Sequence, residues 1–415
     1  MKQKIFDDFT TSNNHLIWYK RDLVEFAEKY GTPLIIYSKQ KIISNFSKIN
    51  NSFRKMTDRY SINYAMKANS NASILSLLRE TGSGVDASSY HEVMDAINSG
   101  FHPDSISYTA NNASPRELNL VADMYVKMNF DSIGQFNSLG KHIPRSVSFR
   151  IKSEYGRGEF KGTTTSGQGA KFGELPEVAV AGYRKAKELG CEHFGIHIMT
   201  GSNVRDPDHF SRVAHDISRI AVHIADLSGV KFEYLDIGGG FGVPYKPDDN
   251  ELDIDLTAEI IFNSISKEFS ASGLDTPEIV MEPGRYIVAN AGILLGTVHD
   301  VKCQEVNYVG TDIGMNILIR PALYGAYHHI VIANKINDEA TFPCEITGQI
   351  CENTDRIGRE MTFPKPHPGD IVAVFNAGAY VRSMASNYNG RGLPQEVLFD
   401  ERSDMVISSR ESGYM

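Results

Sequence analysis

The chain has 415 residues, 42 of them basic and 51 acidic, which gives a formal net charge of −9. This length exceeds the size at which one compact core usually stops growing, so we expect two domains or a barrel with an appendage. The acidic balance and the lack of a basic tract argue against nucleic acid and anionic membranes as partners. The first residues, "MKQKIFDDFTTSNN", lack the apolar core of a signal peptide, and no apolar run is long enough to span a bilayer. We therefore expect a soluble, cytoplasmic protein, and its four scattered cysteines indicate neither a disulfide framework nor a zinc site.

Short apolar segments alternate with longer helical stretches from about residue 34 to about residue 285. The segment "NASILSLLRETG" is typical of the helices, because four apolar residues cluster on one helical face before Gly82, which suits a helix end. Strict alternation over this length favours a parallel (β/α)8 barrel of the TIM type, although the pattern alone also allows a doubly wound open sheet. The predicted strands are "LIIY", "INYAM", "GVDA", "ISYT", "MNFDS", "VSFRI", "HFGIH", "FEYLDI" and "EIVM".

The character of the sequence changes after about residue 285. Strand-like runs such as "GILLGTVHDVKCQEVNYVGTDIG" and "PGDIVAVFNAGAY" are broken by Gly, Pro, Asn and Asp, and long helical segments are scarce. We therefore predict an α/β protein in which residues 38–285 form the barrel. Residues 1–37 and 286–415 are predicted to form a second, mainly antiparallel β domain.

A lysine closes one of the predicted barrel strands. In "SINYAMKANSN", Lys67 ends an apolar run and faces a cluster of small residues. A lysine in this position either shields a strand end in water or does covalent chemistry in a pocket.

Two further strand ends carry residues that suit an anionic ligand. "LDIGGGFGVPY" places Gly238, Gly239 and Gly240 where free backbone N–H groups could approach a phosphate, although a tight turn explains them as well. "MEPGRYIV" sets Glu282 at a strand end with Arg285 three residues later. The carboxylate could hold a heterocyclic nitrogen protonated and the arginine could bind a phosphate or carboxylate, whereas an isolated pair would more often be a structural salt bridge. Taken with Lys67, these residues match the parts of a pyridoxal phosphate site.

The chain resembles the barrel-type (fold type III) pyridoxal phosphate-dependent amino-acid decarboxylases, and among them the diaminopimelate decarboxylases. The resemblance runs from about "YGTPLIIYS" to "LPQEVLF". It is carried by "YAMKANSN", "GSGVDASSYHE", "LDIGGGFGVPY", "MEPGRYIVANAG", "DIGMNILIRPALYGAYHHI", "CENTDRIGR" and "NAGAYVRSMASNYNGRG". Several of these motifs would be weak singly, but in this order they make the resemblance strong.

This resemblance implies a set of cofactor contacts. Lys67 would bond covalently to the cofactor, Glu282 would pair with the pyridine nitrogen, and the phosphate would be held near Ser202. Cys351 in "CENTD" would deliver a proton to the carbanion after carbon dioxide leaves, in the active site of the opposite subunit of a homodimer. The other implied cofactor contacts are Asp86, His197, Met199, Gly238, Gly239, Gly240, Gly284, Arg285 and Tyr380.

The resemblance also implies how the substrate is chosen. In diaminopimelate decarboxylases the matching residues bind the far end of the amino-acid substrate: two arginines and a tyrosine take the distal carboxylate, and a glutamate takes the distal ammonium. An analogue without that carboxylate would leave the arginines unpaired. The intact "IRPALYGAYHHI" therefore favours a substrate with an extra acidic group. The matching residues here are Arg285, Arg320, Tyr324, Glu352 and Tyr380.

One departure from the family pattern concerns the segment "HIMTGSN", where the family usually shows "HCHIGSQ". His197 keeps the first histidine, whereas Met199 replaces the second, which stacks on the pyridine ring. A methionine can pack on a ring face but supplies no imidazole charge or hydrogen bond. Met199 is either ordinary packing at the barrel mouth or the mark of a divergent branch acting on a carrier-bound amino acid.

We predict a decarboxylase that converts meso-2,6-diaminopimelate to L-lysine and carbon dioxide. The alternatives are decarboxylation of another amino acid, ornithine-like, lysine-like or carrier-tethered, in specialised metabolism, a non-catalytic regulator on the same fold, and a racemase. The adjacent His328 and His329 would point apart in a strand, with no carboxylate at ligand spacing, so we expect no metal site.

Overall fold

The computed structural model describes residues 2–140 and 143–410. The chain divides into two compact units, as far as their residues are described. One unit takes in Ile43–Val243 and Glu251–Ile287, and the other takes in Met1–Ile42, Pro244–Asn250 and Val288–Met415. We call them the barrel unit and the β unit.

The strands and helices follow one another in the order that the sequence pattern predicts. The strands are β1 (Phe9–Ser12), β2 (His15–Trp18), β3 (Arg21–Asp22), β4 (Leu34–Ser38), β5 (Tyr60–Ala65), β6 (Gly84–Ala87), β7 (Ile106–Ala110), β8 (Lys127–Phe130), β9 (Ser146–Arg150), β10 (His193–His197), β11 (Phe232–Asp236), β12 (Glu278–Met281), β13 (Gly292–Lys302), β14 (Tyr308–Thr311), β15 (Ile330–Ile332), β16 (Phe342–Thr347), β17 (Arg356–Phe363), β18 (Ile371–Val374), β19 (Gln395–Phe399) and β20 (Asp404–Ser408). The helices are α1 (Leu23–Tyr30), α2 (Lys39–Arg54), α3 (Ala72–Glu80), α4 (Tyr90–Asn98), α5 (Pro115–Ala122), α6 (Ile133–Asn137), α7 (Pro176–Glu188), α8 (Pro207–Ser228), α9 (Ile254–Ala271), α10 (Arg285–Val288) and α11 (Arg320–Tyr324).

The barrel unit is a closed parallel barrel with the strand order β10-β11-β12-β5-β6-β7-β8-β9. Every neighbouring pair is parallel, including the closing pair of β12 with β5. The predicted (β/α)8 barrel is therefore confirmed, and the doubly wound open sheet is excluded. All eight strands run in one direction, so their carboxyl ends meet at one rim, where barrel enzymes build their sites.

The sequence of α3 shows why the crossover segments form helices. Asn71 caps the helix, because its side chain accepts a hydrogen bond from the backbone N–H of Ser73 at 2.9 Å. The helix ends before Gly82, whose φ of +89° suits glycine. The four predicted apolar residues are all buried on the side that faces the core: Ile74, Leu75, Leu77 and Leu78.

The β unit contains a three-stranded antiparallel sheet, β1-β2-β3, and a larger sheet. The larger sheet runs β17-β16-β14-β13-β4-β19-β20, with β18 paired to β13 and β15 paired to β18. Most pairs are antiparallel, whereas β4 pairs with β19 and β14 with β16 in parallel. The first predicted strand, "LIIY", is β4 and belongs to this sheet, so the barrel begins with β5.

Aromatic side chains form much of the β-unit core. Trp18 is fully buried and stacks on Phe9 with ring centroids 5.1 Å apart. Trp18 also packs edge-on against Phe399 of β19, with ring centroids 5.3 Å apart. Residues from the two chain ends therefore share one core with the central strands of the sheet. Among the described residues, no helix is both long and apolar enough to cross a membrane.

Candidate active site

Lys67 lies at the carboxyl end of β5, on a short 3-10 turn at Met66–Ala68. Its Nζ atom is 2.7 Å from Oδ2 of Asp86 on the neighbouring strand β6. The lysine side chain is 41% exposed, whereas the Asp86 side chain is fully buried. Burial and the charge of Glu282 raise the pKa of Asp86, and the lysine opposes them. The barrel mouth thus presents an accessible amine that a buried carboxyl group orients.

Three ionisable side chains lie deeper at the same rim. His197 ends β10, Asp236 ends β11 and Glu282 follows β12, and all three are buried. Nε2 of His197 is 3.3 Å from Oε2 of Glu282. One ligand-type atom of each residue lies within 4.8 Å of the others.

The two acids of this cluster hold different protonation states. Burial, and then the charge of Glu282, raises the pKa of Asp236 well above its ordinary value. Burial would also raise the pKa of Glu282, but the charges of His197, Lys67 and Arg150 outweigh it and lower that pKa to about 2. Two buried carboxyl groups this close cannot both ionise at low cost, so Asp236 keeps its proton and Glu282 is the anion. A cation would therefore find only one carboxylate and one imidazole here.

The three consecutive glycines form a tight turn beside Glu282. Gly238 and Gly240 have φ values of +68° and +95°, which side chains rarely tolerate. A Cβ atom on Gly239 would lie 2.4 Å from the carbonyl oxygen of Glu282. The N–H of Gly238 donates to Oδ1 of Asp236 at 2.8 Å. Only glycine lets this turn approach the neighbouring strand end so closely.

The side chains of Arg285 and Ser202 are hydrogen-bonded at the same rim of the barrel. Nη2 of Arg285 donates to Oγ of Ser202 at 3.2 Å. Gly284 lets the backbone before Arg285 pack closely against the end of β5, because a Cβ atom there would lie 3.0 Å from the Cβ atom of Ala68 and 3.1 Å from the carbonyl oxygen of Ala65. A guanidinium beside a hydroxyl and a glycine turn suits a bound phosphate or carboxylate.

Met199, the departure from the family pattern, lies against the glycine turn. Its Sδ atom accepts a hydrogen bond from the backbone N–H of Gly239 at 3.2 Å. A Cβ atom on Gly238 would lie 2.9 Å from the same sulfur. The thioether is therefore held at the barrel mouth, and its role toward a cofactor ring stays a prediction.

Two charged residues of this rim were missed in the sequence analysis. Asp236 was not considered, nor was Arg150, whose guanidinium carbon lies 4.4 Å from the ring centroid of Phe172. Burial lowers the pKa of Arg150, while nearby carboxylates oppose that shift. Each is the next-to-last residue of a predicted strand, "VSFRI" or "FEYLDI", and the last residue of the observed strand, β9 or β11. That position, a charge at the carboxyl end of a barrel strand, is the signal that could have found them.

Arg320, the predicted substrate residue of the β unit, begins α11 and is 1% exposed. Its Nη1 atom donates to the hydroxyl of Tyr245 at 2.9 Å and contacts Nε2 of His328 at 2.8 Å. Nδ1 of His328 lies 2.9 Å from the carbonyl oxygen of Phe375, so Nδ1 carries the hydrogen and Nε2 accepts from the arginine. His328 is thus a neutral ring that orients the guanidinium, a partnership that the sequence pattern did not predict.

The other predicted residues of the β unit occupy turns. Cys351 and Glu352 lie together on an exposed turn after β16 and contact residues 388–389. Tyr324 ends α11 and is half-buried. Tyr380 has a φ of +58°, and a bulky residue held in this conformation marks a site where the surroundings impose strain.

The fold and the charged rim define a barrel enzyme with a lysine at the carboxyl ends of its strands. The family described as "Pyridoxal-dependent decarboxylase, pyridoxal binding domain" matches residues 39–289. The chain belongs to this family.

Full-length relatives are also similar. The chain is 43% identical to the diaminopimelate decarboxylase of Thermoplasma acidophilum, over 93% of this chain and 92% of the relative. It is 38% identical to that of Methanothermobacter thermautotrophicus, over 98% and 96%. A solved structure of diaminopimelate decarboxylase from M. jannaschii in co-complex with L-lysine has a TM-score of 0.90 and 30% identity, covering 98% of this chain and 96% of that one.

The rim residues fit the cofactor that the family name implies. Within the described part of the chain, the buried polar atoms of the rim that have no hydrogen-bond partner include Oε1 of Glu282, Oδ1 of Asp86 and Nδ1 of His197. Buried polar atoms are almost always satisfied, so such a set indicates a ligand with polar atoms of its own. An amine, a deep carboxylate and a cationic rim are the donor and acceptor groups that pyridoxal phosphate requires.

Proposed function

We propose that the chain is a pyridoxal phosphate-dependent carboxy-lyase that converts meso-2,6-diaminopimelate to L-lysine and carbon dioxide. The observation that carries the proposal is the pairing of an accessible amine, Lys67, with a buried anionic carboxylate, Glu282, at one barrel rim. The full-length similarity to proteins named diaminopimelate decarboxylase supports the substrate.

The cofactor would be held at three places. Lys67 would provide the covalent attachment, with Asp86 orienting its amine from 2.7 Å. Glu282 would accept the N–H of the pyridine ring, which its low pKa allows because the carboxylate stays ionised. Ser202, Arg285 and the N–H groups of residues 238–240 would bind the phosphate.

When bound, pyridoxal phosphate supplies an electron sink for the carbanion left by departing carbon dioxide. The chain's own residues set the conditions for that chemistry. Glu282 would hold a proton on the ring nitrogen, and Asp236 keeps its own proton and so adds no second negative charge. Arg150 adds a buried positive charge that favours the ionised state of Glu282.

Residues of the β unit would bind the distal end of the substrate. Arg320 would bind the distal carboxylate, because Tyr245 and His328 hold its guanidinium in a fixed orientation. Arg285 would bind the same group, together with Tyr324 and Tyr380. Glu352 would bind the distal ammonium group. A buried arginine penalises substrates that lack the carboxylate, since its donors would then lose a partner.

Cys351 would supply the proton that replaces carbon dioxide on the substrate carbon. The S–H bond breaks, a C–H bond forms, and the thiolate regains a proton from water. Its exposed position at the tip of a turn suits a group that reaches into another subunit. The homodimer and the cytoplasmic location remain predictions.

The experiment is carbon dioxide release by the purified, cofactor-loaded protein, with meso-diaminopimelate tested beside ornithine, lysine and glutamate. We expect release from meso-diaminopimelate alone. Release from a different amino acid, with meso-diaminopimelate inert, would assign the chain to another substrate and make Met199 the first residue to examine. A protein that shows no cofactor absorbance band after loading would be a non-catalytic relative.

A further inference from the structure

We propose that Asn389 positions the thiol of Cys351 and is a residue on which correct proton delivery depends. The inference rests on the proposed function, because it takes Cys351 as the proton donor. It goes beyond that proposal by assigning a role to the turn at residues 388–390, which we call the clamp turn.

The side-chain oxygen of Asn389 makes two contacts with Cys351. Oδ1 accepts a hydrogen bond from the backbone N–H of Cys351 at 3.1 Å, and it lies 3.4 Å from the Sγ atom. An N–H group can only donate, so the amide oxygen and not the amide nitrogen faces the cysteine. The thiol, which is a weak donor, then finds the same acceptor. One amide group therefore fixes both the backbone and the side chain of Cys351.

A second pair of residues joins the same two turns. The hydroxyl of Tyr388 donates to Oε1 of Glu352 at 2.9 Å. This hydrogen bond raises the pKa of Tyr388, so the phenol keeps the proton that it donates. Two consecutive residues of the clamp turn thus hold two consecutive residues of the turn that carries the proposed proton donor. The two turns are therefore joined by two separate hydrogen-bonded pairs of residues.

The backbone of the clamp turn explains why an asparagine stands at this position. Asn389 has φ and ψ angles of +56° and +25°, the left-handed conformation that asparagine and glycine tolerate best. Glycine would satisfy the backbone but supply no acceptor. Aspartate would satisfy both requirements. The two substitutions therefore separate the acceptor from the backbone conformation.

The cysteine turn is anchored at its base by a buried carboxylate. Asp355 accepts hydrogen bonds from the N–H of Ile350 at 2.7 Å and from the N–H of Met315 at 2.6 Å. Ile350 directly precedes Cys351, so the backbone enters the turn in a fixed direction. The tip of the turn is exposed, and there the clamp turn contacts Cys351 and Glu352. Removal of the Asn389 side chain would free the thiol while the base stays in place.

The chemical consequence concerns where the proton goes. While Oδ1 of Asn389 accepts the thiol hydrogen, Sγ is held in one position. Rotation about the Cβ–Sγ bond would turn the S–H group toward the substrate carbanion, which is a stronger acceptor; the S–H bond then breaks, a C–H bond forms, and water returns a proton to the thiolate. A thiol without this restraint occupies several rotamers, and fewer turnovers then protonate the correct carbon.

The test compares Asn389→Gly with Asn389→Asp in the cofactor-loaded protein supplied with meso-diaminopimelate. The quantity measured is the share of turnovers that yields an aldehyde, with the amino nitrogen retained by the cofactor, in place of L-lysine. We expect Asn389→Gly to raise that share by about fivefold, the factor that one neutral hydrogen bond supplies. Asn389→Asp should keep it near the wild-type value. Asn13→Gly, which removes an exposed asparagine at a φ of +50° in the N-terminal hairpin, is the matched control.

A double substitution shows whether Asn389 acts through the thiol. In a Cys351→Ala background, Asn389→Gly should produce no further change, because the group that it positions is absent. An additive effect would overturn the inference. A Cys351→Ala protein that makes as little aldehyde as the wild type would overturn the donor role itself, and with it the inference.

A spectroscopic measurement is independent of turnover. The S–H stretching band of Cys351 can be isolated as the infrared difference between the wild-type and Cys351→Ala proteins. We expect Asn389→Gly to shift this band to higher frequency, as the loss of a hydrogen bond does, and Asn389→Asp to leave it low. An unchanged band in Asn389→Gly would overturn the inference even if the protein proved to be a decarboxylase.

Discussion

The division of protons between Asp236 and Glu282 can be tested without any substrate. Asp236 is buried next to an anionic carboxylate, and its pKa lies well above the ordinary value of 3.8. The folded chain therefore holds a proton that the unfolded chain releases, so this group makes the protein less stable as pH rises above its unfolded pKa. Asp236→Asn removes the titrating group but keeps its contacts, because the amide oxygen can accept from Gly238 and the amide N–H can donate to Glu282.

The size of the effect follows from one proton. Each pH unit in which the folded protein alone carries the proton costs about 1.4 kcal/mol of unfolding free energy. Over each pH unit above about 5 in which Asp236 keeps its proton, the wild type should therefore lose about 1.4 kcal/mol relative to Asp236→Asn. For a unit of this size, that loss corresponds to about 3 to 6 °C in melting temperature per pH unit. Other titrating groups are shared by the two proteins and cancel in the comparison.

The assay is thermal unfolding of the cofactor-free wild type, Asp236→Asn and the control Asp226→Asn across this pH range. Asp226 is exposed on α8, so its substitution should leave the pH slope of the wild type unchanged. Equal slopes in the wild type and Asp236→Asn would refute the assignment, because the shared proton would then lie on Glu282 or be absent. The depressed pKa of Glu282 makes the opposite contribution, which is present above its unfolded pKa of about 4.5 and is lost as pH falls toward 2.

Three other substitutions test the proposed roles. Lys67→Ala should abolish the absorbance band of the covalently bound cofactor, and a retained band would remove the central assignment. Arg320→Ala should lower kcat/KM for meso-diaminopimelate by about 10- to 150-fold, the equivalent of about 1.5 to 3 kcal/mol for a hydrogen bond to a charged group. Arg320→Ala should have little effect on any residual turnover of lysine or ornithine. Equal losses of kcat/KM for all three substrates would show that Arg320 does not bind the distal carboxylate. Asp355→Ala should lower the unfolding free energy by about 3 kcal/mol, because two backbone N–H groups lose a buried acceptor. Chemical denaturation measures this loss, and Asp355→Asn should be intermediate, since one acceptor oxygen remains.

The fold was predictable because barrel strands carry a strong local signal. The eight are short, mostly buried apolar runs, and six of them are followed by a helix whose N-cap side chain accepts a backbone hydrogen bond, as at Asn71. The strand "LIIY" has the same local character but pairs with β13 and β19. Its place in the β unit depends on strands more than 200 residues away in the chain. In the sequence, only the predicted domain boundary at residue 38 indicated that this strand lies outside the barrel.

The individual groups of the rim were more predictable than their protonation states. Lys67 and Glu282 stand at strand ends in recognisable motifs, whereas the state of Glu282 depends on charges contributed by β5, β9 and β10. Such a balance is set by distances across the barrel, which periodicity does not reveal. Asp236 illustrates the point, because it is one more strand-end aspartate in sequence and becomes a neutral proton donor only beside Glu282.

The orientation of Arg320, which is proposed to bind the substrate, likewise depends on contacts between residues that are distant in sequence. The pattern "IRPALY" identified Arg320, but the groups that orient it are Tyr245, 75 residues earlier, and His328, whose tautomer is set by the carbonyl of Phe375. Both contacts are hydrogen bonds to uncharged groups, and they fix the direction in which the planar guanidinium presents its donors. His328 of "GAYHHI" therefore has a role that involves no metal, because it orients Arg320, the residue proposed to select the substrate.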